Sequence, residues 1–189
     1  DSVAALTPKS EIEGEMGDQQ IGLQARLMSK ALRKITSVAA KTGVIIIFIN
    51  QVRTRIGITW GDPDVTPGGK ALKFYSSVRI KLARTAKIER SGQVVGNRVK
   101  AKIVKNKVAP PFRETEYDIL YNEGISRLSD IVRMAEKYGI ITKKGSSYSY
   151  DGKSIGVGIE GAKKFIKEDS KKLEEITEKI KQKFYESLV

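Results

Sequence analysis

Six consecutive apolar residues, Val44-Ile45-Ile46-Ile47-Phe48-Ile49, end abruptly at two amides, Asn50-Gln51. A run this short, unbroken and β-branched predicts a strand buried on both faces, which requires sheet neighbours and covering helices. The fold class expected is therefore α/β. In open α/β sheets ligands bind beyond the carboxyl ends of the strands, so the amides stand where a ligand arrives. Arg53 and Arg55 follow. Residues 57–69 are then rich in Gly and broken by Pro, with no helical or strand period, as expected of a long functional loop. The loop closes on Thr66-Pro67-Gly68-Gly69-Lys70, after which residues 71–75 are expected to be helical. Gly68 and Gly69 at that helix start would leave backbone N–H groups for a phosphate.

The flanks supply the rest of an α/β plan. From Ile21 to Lys41, Leu23, Leu27, Ala31 and Ile35 recur at helical spacing, and Gly43 sits where a C-terminal cap belongs. Arg26 and Arg33 lie two turns apart on one face with Lys30 between them, either a solvated basic face or a row able to follow a phosphate backbone. Val78, Ile80 and Leu82 alternate with Arg79, Lys81 and Arg84 as in a half-exposed strand, Ser91-Gly92 marks a turn, and residues 99–105 alternate back. Arg84, Lys100 and Lys102 would share a basic sheet edge, where lysines often just guard against aggregation. Lys105-Asn106-Lys107 precedes Pro110-Pro111, which cannot continue a central strand. Residues 116–121 read as a last core strand.

A boundary is expected after Ser126, giving domains 1–126 and 127–189. The second would be a small α/β domain: a helix bearing Leu128, Ile131, Val132 and Ala135, hairpin material over 138–158, and helices near 161–167 and 170–187.

Charge narrows the choice of partner. The chain carries 35 basic and 22 acidic residues, a net charge of +13. That fits a polyanionic partner, nucleic acid before an acidic membrane surface, or else a lysine-rich surface with no such partner. From Arg127 onward 14 basic face 10 acidic residues, a balance of +4 against +9 before it. No Cys and no His occur, which excludes disulfides, thiol catalysis, zinc fingers and histidine general bases. No apolar stretch is long enough to span a bilayer and no signal-peptide pattern occurs, so the expected location is cytoplasmic. The sequence starts at Asp1 without an initiator Met and reads as a piece of something longer.

FINQVR followed by TPGGKALKFY resembles the second DNA-binding loop of the bacterial RecA recombinase family. The likeness continues through DSVAAL, EIEGEMGD, GLQARLMSKALRK, VKNKVAPPF and ILYNEGIS and covers essentially the whole chain. The resemblance implies part of a RecA-type P-loop ATPase core, a twisted central β-sheet flanked by helices, plus a small C-terminal α/β domain. It further implies a helical homo-oligomeric filament on single-stranded DNA that uses ATP and Mg²⁺, pairs and exchanges homologous strands with double-stranded DNA, and promotes self-cleavage of an SOS repressor.

Residue by residue, the resemblance makes Asp1 the Walker B carboxylate beside Mg²⁺ and Gln51 the γ-phosphate sensor. Lys105 and Lys107 would reach a neighbouring subunit's ATP phosphates, with Phe74 at the same interface and Tyr121 near the nucleotide base. Arg26, Arg33, Arg53 and Arg55 would hold DNA phosphates, Gly68 and Gly69 would give them N–H donors, and Ile21 and Ile56 would wedge between stacked bases. Arg84, Lys100 and Lys102 would form a secondary DNA site, one family basic position of which falls on Ala83. The acidic loop 11–18 corresponds to the family's first DNA-binding loop. The Walker A motif and the catalytic glutamate do not occur in these residues, so they are not expected to hydrolyse ATP unaided. Two other classes remain open: an ATP-independent DNA-binding module, and a hexameric helicase relative, which would lack the GGK and KNK segments in this arrangement.

Overall fold

The structure, a computed structural model, describes residues 2–15, 22–54, 56–57, 60–61 and 63–187. The chain forms two compact units, residues 1–79 with 105–109, and residues 80–104 with 110–189. The position after Ser126 lies inside the second unit.

In the first unit a short helix α1 (Lys9–Ile12) precedes the long helix α2 (Leu23–Thr42), a two-residue ladder of β1 (Arg53–Thr54) with β2 (Asp64–Val65), and a short helix α3 (Ala71–Tyr75). Gly43 ends α2 as expected, its N–H donating to the carbonyl of Ala39. The helix buries Met28 and Leu32 rather than the stripe through Leu27. The period was legible, but the covered face is turned by one residue, about 100°, because the core is set by what packs on it: Val3 from one side, with Phe48, Ala71 and Leu72 partly buried against the cluster.

The apolar run 44–49 departs most from expectation. It is no strand, and Ile45 is 87% exposed. Its one bridge is parallel, Ser2 to Ile49, where the Val3 N–H donates to the Ile49 carbonyl at 2.9 Å. A strand buried on both faces takes its backbone and side-chain partners from neighbours, and among the described residues only Ser2 pairs with this run. The loop after it is also less irregular than its composition implied. β1 and β2 pair antiparallel, Arg53 opposite Val65 and Thr54 opposite Asp64, and so pinch its base.

The second unit holds a four-stranded sheet in the order β3 (Val78–Arg90), β4 (Gln93–Asn106), β5 (Glu114–Leu120), β6 (Gly124–Ile125), with the first two residues of β3 and the last two of β4 belonging to the first unit. Ser91-Gly92 forms the expected two-residue turn between β3 and β4. Along β3, however, Val78, Ile80 and Leu82 are exposed while Arg79 and Lys81 are half-buried. Alternation fixes which residues share a face, not which face is covered.

Beyond the sheet come α4 (Arg127–Lys137), a three-stranded meander β7 (Ile141–Lys144), β8 (Ser147–Tyr150) and β9 (Lys153–Val157), then α5 (Gly158–Glu168) and α6 (Ser170–Glu186). Ile131, Val132 and Ala135 of α4 meet Ile141, Tyr148, Tyr150, Ile155, Ala162, Ile166 and Ile176 in one core. The architecture is mixed α/β, consistent with part of a RecA-type core followed by a small α/β domain.

Candidate nucleic-acid and nucleotide interface

The base of the long loop is fixed at three points. Asn50 donates its side-chain amide to the Pro67 carbonyl at 3.0 Å, while its Oδ1 accepts the Gln51 N–H at 2.8 Å. The β1–β2 ladder closes the next rung. Gly68 and Gly69 then hold the descending strand against the core at φ of 87° and 73°. A Cβ on Gly68 would come within 2.8 Å of Val3 Cγ1, and one on Gly69 within 2.7 Å of the Ala25 Cβ. Left-handed backbone and lack of room both demand glycine here. Gly68 is buried, so packing is one clear role of this pair.

Above that base the loop displays what it carries. Arg53 is exposed on β1, Ile56 is 97% exposed and Trp60 91% exposed. Apolar side chains held this far into water cost free energy unless a partner covers them. Arg26 and Arg33 are both exposed on α2. Asp1, Ile21 and Arg55 lie outside the described residues, as does part of the expected first loop.

Gln51 is exposed two residues past Ile49, whose carbonyl meets the chain at Val3. The segment after Asp1 and the end of the apolar run thus lie side by side and parallel, and the Gln24 side chain clasps the first by donating to the carbonyls of Val3 and Leu6 at 2.9 and 3.2 Å. The sequence reading sets Asn50 beside Gln51 as an amide where a ligand arrives and gives it no structural contact, yet Asn50, rather than Gln51, makes the bond that joins the end of the apolar run to the loop. Its signal was position: an amide directly ahead of Gln51.

A second cationic group gathers at the carboxyl end of α3. Lys105 Nζ donates to the carbonyls of Lys73 and Phe74 at 2.5 and 3.1 Å, at the end of α3. Desolvation, with the Lys107 and Arg79 cations adding to it, holds the Lys105 ammonium pKa below the usual lysine range. Asn106 shapes the turn that presents both lysines, its Oδ1 accepting the N–H groups of Val108 and Ala109 at 3.0 and 3.3 Å. Lys107 is exposed, its N–H bonded to the Ser77 carbonyl at 3.0 Å. The Phe74 ring is 71% exposed. Crowded cations with an exposed lysine suit a polyphosphate. Among the described residues no group of three His, Cys, Asp or Glu could hold a metal ion.

In the second unit Arg84 is exposed on β3 and Lys102 on β4, while Lys100 is tied to Glu114 at 3.2 Å. β4 lies between β3 and β5, so Lys100 and Lys102 are not on the sheet edge expected from the sequence; only Arg84, on β3, is, and Glu114 and Glu116 stand opposite Lys102 and Lys100 and partly neutralise them. Tyr121 is exposed after β5, its hydroxyl accepting from Asn97 Nδ2 at 3.2 Å. Asp118 is buried and bridges Arg98, at 3.1 Å, and Arg133. No helix among the described residues is long and apolar enough to cross a membrane.

Residues 1–126 match the family model of the RecA N-terminal domain, and residues 129–185 that of the RecA C-terminal domain. The chain is 55% identical over 181 residues to Protein RecA of Macrococcus caseolyticus, covering 96% of this chain and 51% of that protein. Against Protein RecA of Campylobacter fetus the identity is 54% over 190 residues, covering all of this chain and 55% of the relative. For Anaplasma marginale Protein RecA it is 52% over 188 residues, with 100% and 52% covered. The chain thus spans about half the length of the curated relatives it matches.

Proposed function

Because the chain belongs to the RecA family, we propose that it is the part of a DNA recombination and repair protein that grips single-stranded DNA and offers cations to the nucleotide of an adjoining copy. The observation that carries this reading is the pinned loop, whose base is fixed by Asn50, the β1–β2 ladder and Gly68-Gly69 while Arg53, Ile56 and Trp60 stand out in solvent. A rigid base under a displayed cationic and apolar tip suits phosphate contact with apolar insertion between base steps. Arg53 and Arg55 would hold phosphates together with Arg26 and Arg33; Ile21 and Ile56 would be the wedges, and Gly68 and Gly69 would add backbone donors. Few groups in the loop read base edges, as pairing with an incoming strand requires.

ATP with Mg²⁺, when bound in an assembly of the relatives' full length, would supply the phosphoryl chemistry. Of this chain's residues, Asp1 would sit beside the metal and Gln51 would sense the terminal phosphate from just beyond the apolar run. Lys105 and Lys107 would neutralise phosphate charge across the interface, where Phe74 packs and Tyr121 borders the base. The crowding of Lys105, Lys107 and Arg79 supports that polyphosphate role. These residues by themselves would bind DNA without turning over ATP. Arg84, Lys100 and Lys102 would serve a weaker second DNA site, and residues 127–189 would act as a separate small domain guiding duplex DNA. The filament, strand exchange and the SOS repressor as partner belong to the same proposal, with the cytoplasm as its location.

The test is single-strand affinity in a chain spanning the relatives' full length, with and without ATP. Nucleotide-dependent tightening that Lys105→Ala removes together with ATP turnover is the expected result. Equal affinity in both states would leave only an ATP-independent DNA-binding module.

A further inference from the structure

A helix leaves the carbonyls of its last turn without intrahelical donors. In α3 the Lys73 and Phe74 carbonyls receive theirs from a side chain 32 and 31 positions away in sequence, the ammonium of Lys105. The arrangement has a cost. Lys105 is half-buried and stands near two further cations, Lys107 and Arg79, which with desolvation disfavour its charged form. Two carbonyls offer acceptors but no net charge to offset the ammonium, whereas a phosphate brings both acceptors and an opposite charge. The clasp is therefore a resting contact that a phosphate can outcompete.

What the clasp holds is consequential. α3 begins at Ala71, separated from Gly68-Gly69 by Lys70 alone, so it is the continuation of the loop's fixed base. Leu72 and Ala71 pack against Val3, Met28 and Leu32, while Phe74 on the same short helix points an exposed ring outward. α3 is only five residues long, below the length at which a helix holds itself together in water. Its order depends on those apolar contacts at one end and on the Lys105 bonds at the other.

We propose that Lys105 is a two-position latch: clasped on the Lys73 and Phe74 carbonyls at rest, it transfers to a polyphosphate when one arrives and frees the carboxyl end of α3, and with it Phe74, to repack. This rests on the reading that Lys105 faces the phosphates of an adjoining copy, and adds to it the contact from which the cation must be taken. One side chain then links phosphate arrival both to the Phe74 surface and to the loop base, because both are on the segment it releases. A population shift of this kind needs a ligand that binds one arrangement better than the other; here the differential contact is the ammonium itself, available to phosphate only when unclasped.

Hydrogen exchange on the 189-residue chain tests the latch, with inorganic tripolyphosphate as the probe and ³¹P line broadening as a separate readout of its binding. Lys105→Met is expected to speed exchange across residues 73–76 by about fivefold, the scale of one lost hydrogen bond, while protection across α2 is unchanged. Lys105→Arg, which keeps a donor cation, should retain most of the protection. Tripolyphosphate added to the wild-type chain should speed exchange over the same residues. Unchanged exchange in the Met variant overturns the proposal. Broadening without faster exchange overturns the latch, and so does no broadening; in either case the phosphate role of Lys105 across an interface is decided separately, by ATP turnover of the Lys105→Ala variant in the full-length chain. If the Met variant loosens α2 as well, the wild-type arm with tripolyphosphate decides alone.

Discussion

Asn50 Nδ2 donates to the Pro67 carbonyl oxygen at 3.0 Å and so ties the residue before the proposed phosphate sensor to the closing turn of the long loop. The bond is half-buried, and removing the donor leaves that carbonyl short of a partner. Asn50→Ala should weaken single-strand binding by about fivefold, from roughly 1 kcal/mol of lost positioning. Fluorescence anisotropy with an oligothymidine reads this; unchanged affinity would mean that the bond does not organise the loop.

Arg53→Ala should lower affinity about equally for oligonucleotides of different sequence and reduce the slope of log K against log salt by about one unit. Titrations at several salt concentrations separate this from base reading, which would show as a loss confined to some sequences.

Gly68→Ala forces a Cβ to within 2.8 Å of Val3 Cγ1 at a φ of 87°. Overpacking and left-handed strain together should destabilise the first unit by roughly 2–3 kcal/mol. In the double variant with Val3→Ala the clash disappears while the strain stays, so the two changes should be non-additive in urea unfolding. Strict additivity would show that the contact contributes nothing.

Asp118, with its side chain 6% exposed, lies between Arg98 and Arg133. Asp118→Ala takes the shared carboxylate from Arg98, 38% exposed, and Arg133, 22% exposed, and should cost roughly 2 kcal/mol, the scale of lost hydrogen bonds between charged groups discounted for that exposure. Denaturant unfolding followed by a probe in the second unit checks it.

Asp169 caps α6 by accepting the N–H groups of Lys171 and Lys172 and pairing with the Lys172 ammonium. Those bonds hold its carboxyl below the ordinary aspartate range, the Lys172 side chain contributing most. A carboxylate depressed on folding stabilises fully above its unfolded pKa, and the contribution is lost as pH falls through the folded value. Asp169→Asn should therefore flatten the acid limb of the thermal midpoint against pH, below the ordinary aspartate range, and change its slope little near neutrality.

The helices and hairpins were legible because they are local. The period of residues 23–42, the turn at Ser91-Gly92 and the alternations of β3 and β4 are properties of neighbouring residues, and the structure keeps them. Within the candidate site, Trp60 was legible as a loop residue because Gly and Pro punctuate residues 57–69, whereas the pairing of Arg53 in β1 was not. Asn50 and Asn106 were not, since an amide acquires a role only from the backbone groups that folding brings to it.

By itself, then, the sequence determined the element types, a strongly basic surface and the segments that carry the family likeness. Tertiary structure alone decided which face of α2 is buried, which face of β3 meets water, where Lys105 rests, and that residues 44–49 form no strand here. Periodicity is written into one segment at a time, but burial and pairing are relations between segments, and the apolar run from Val44 to Ile49 can become a buried strand only where other strands stand beside it.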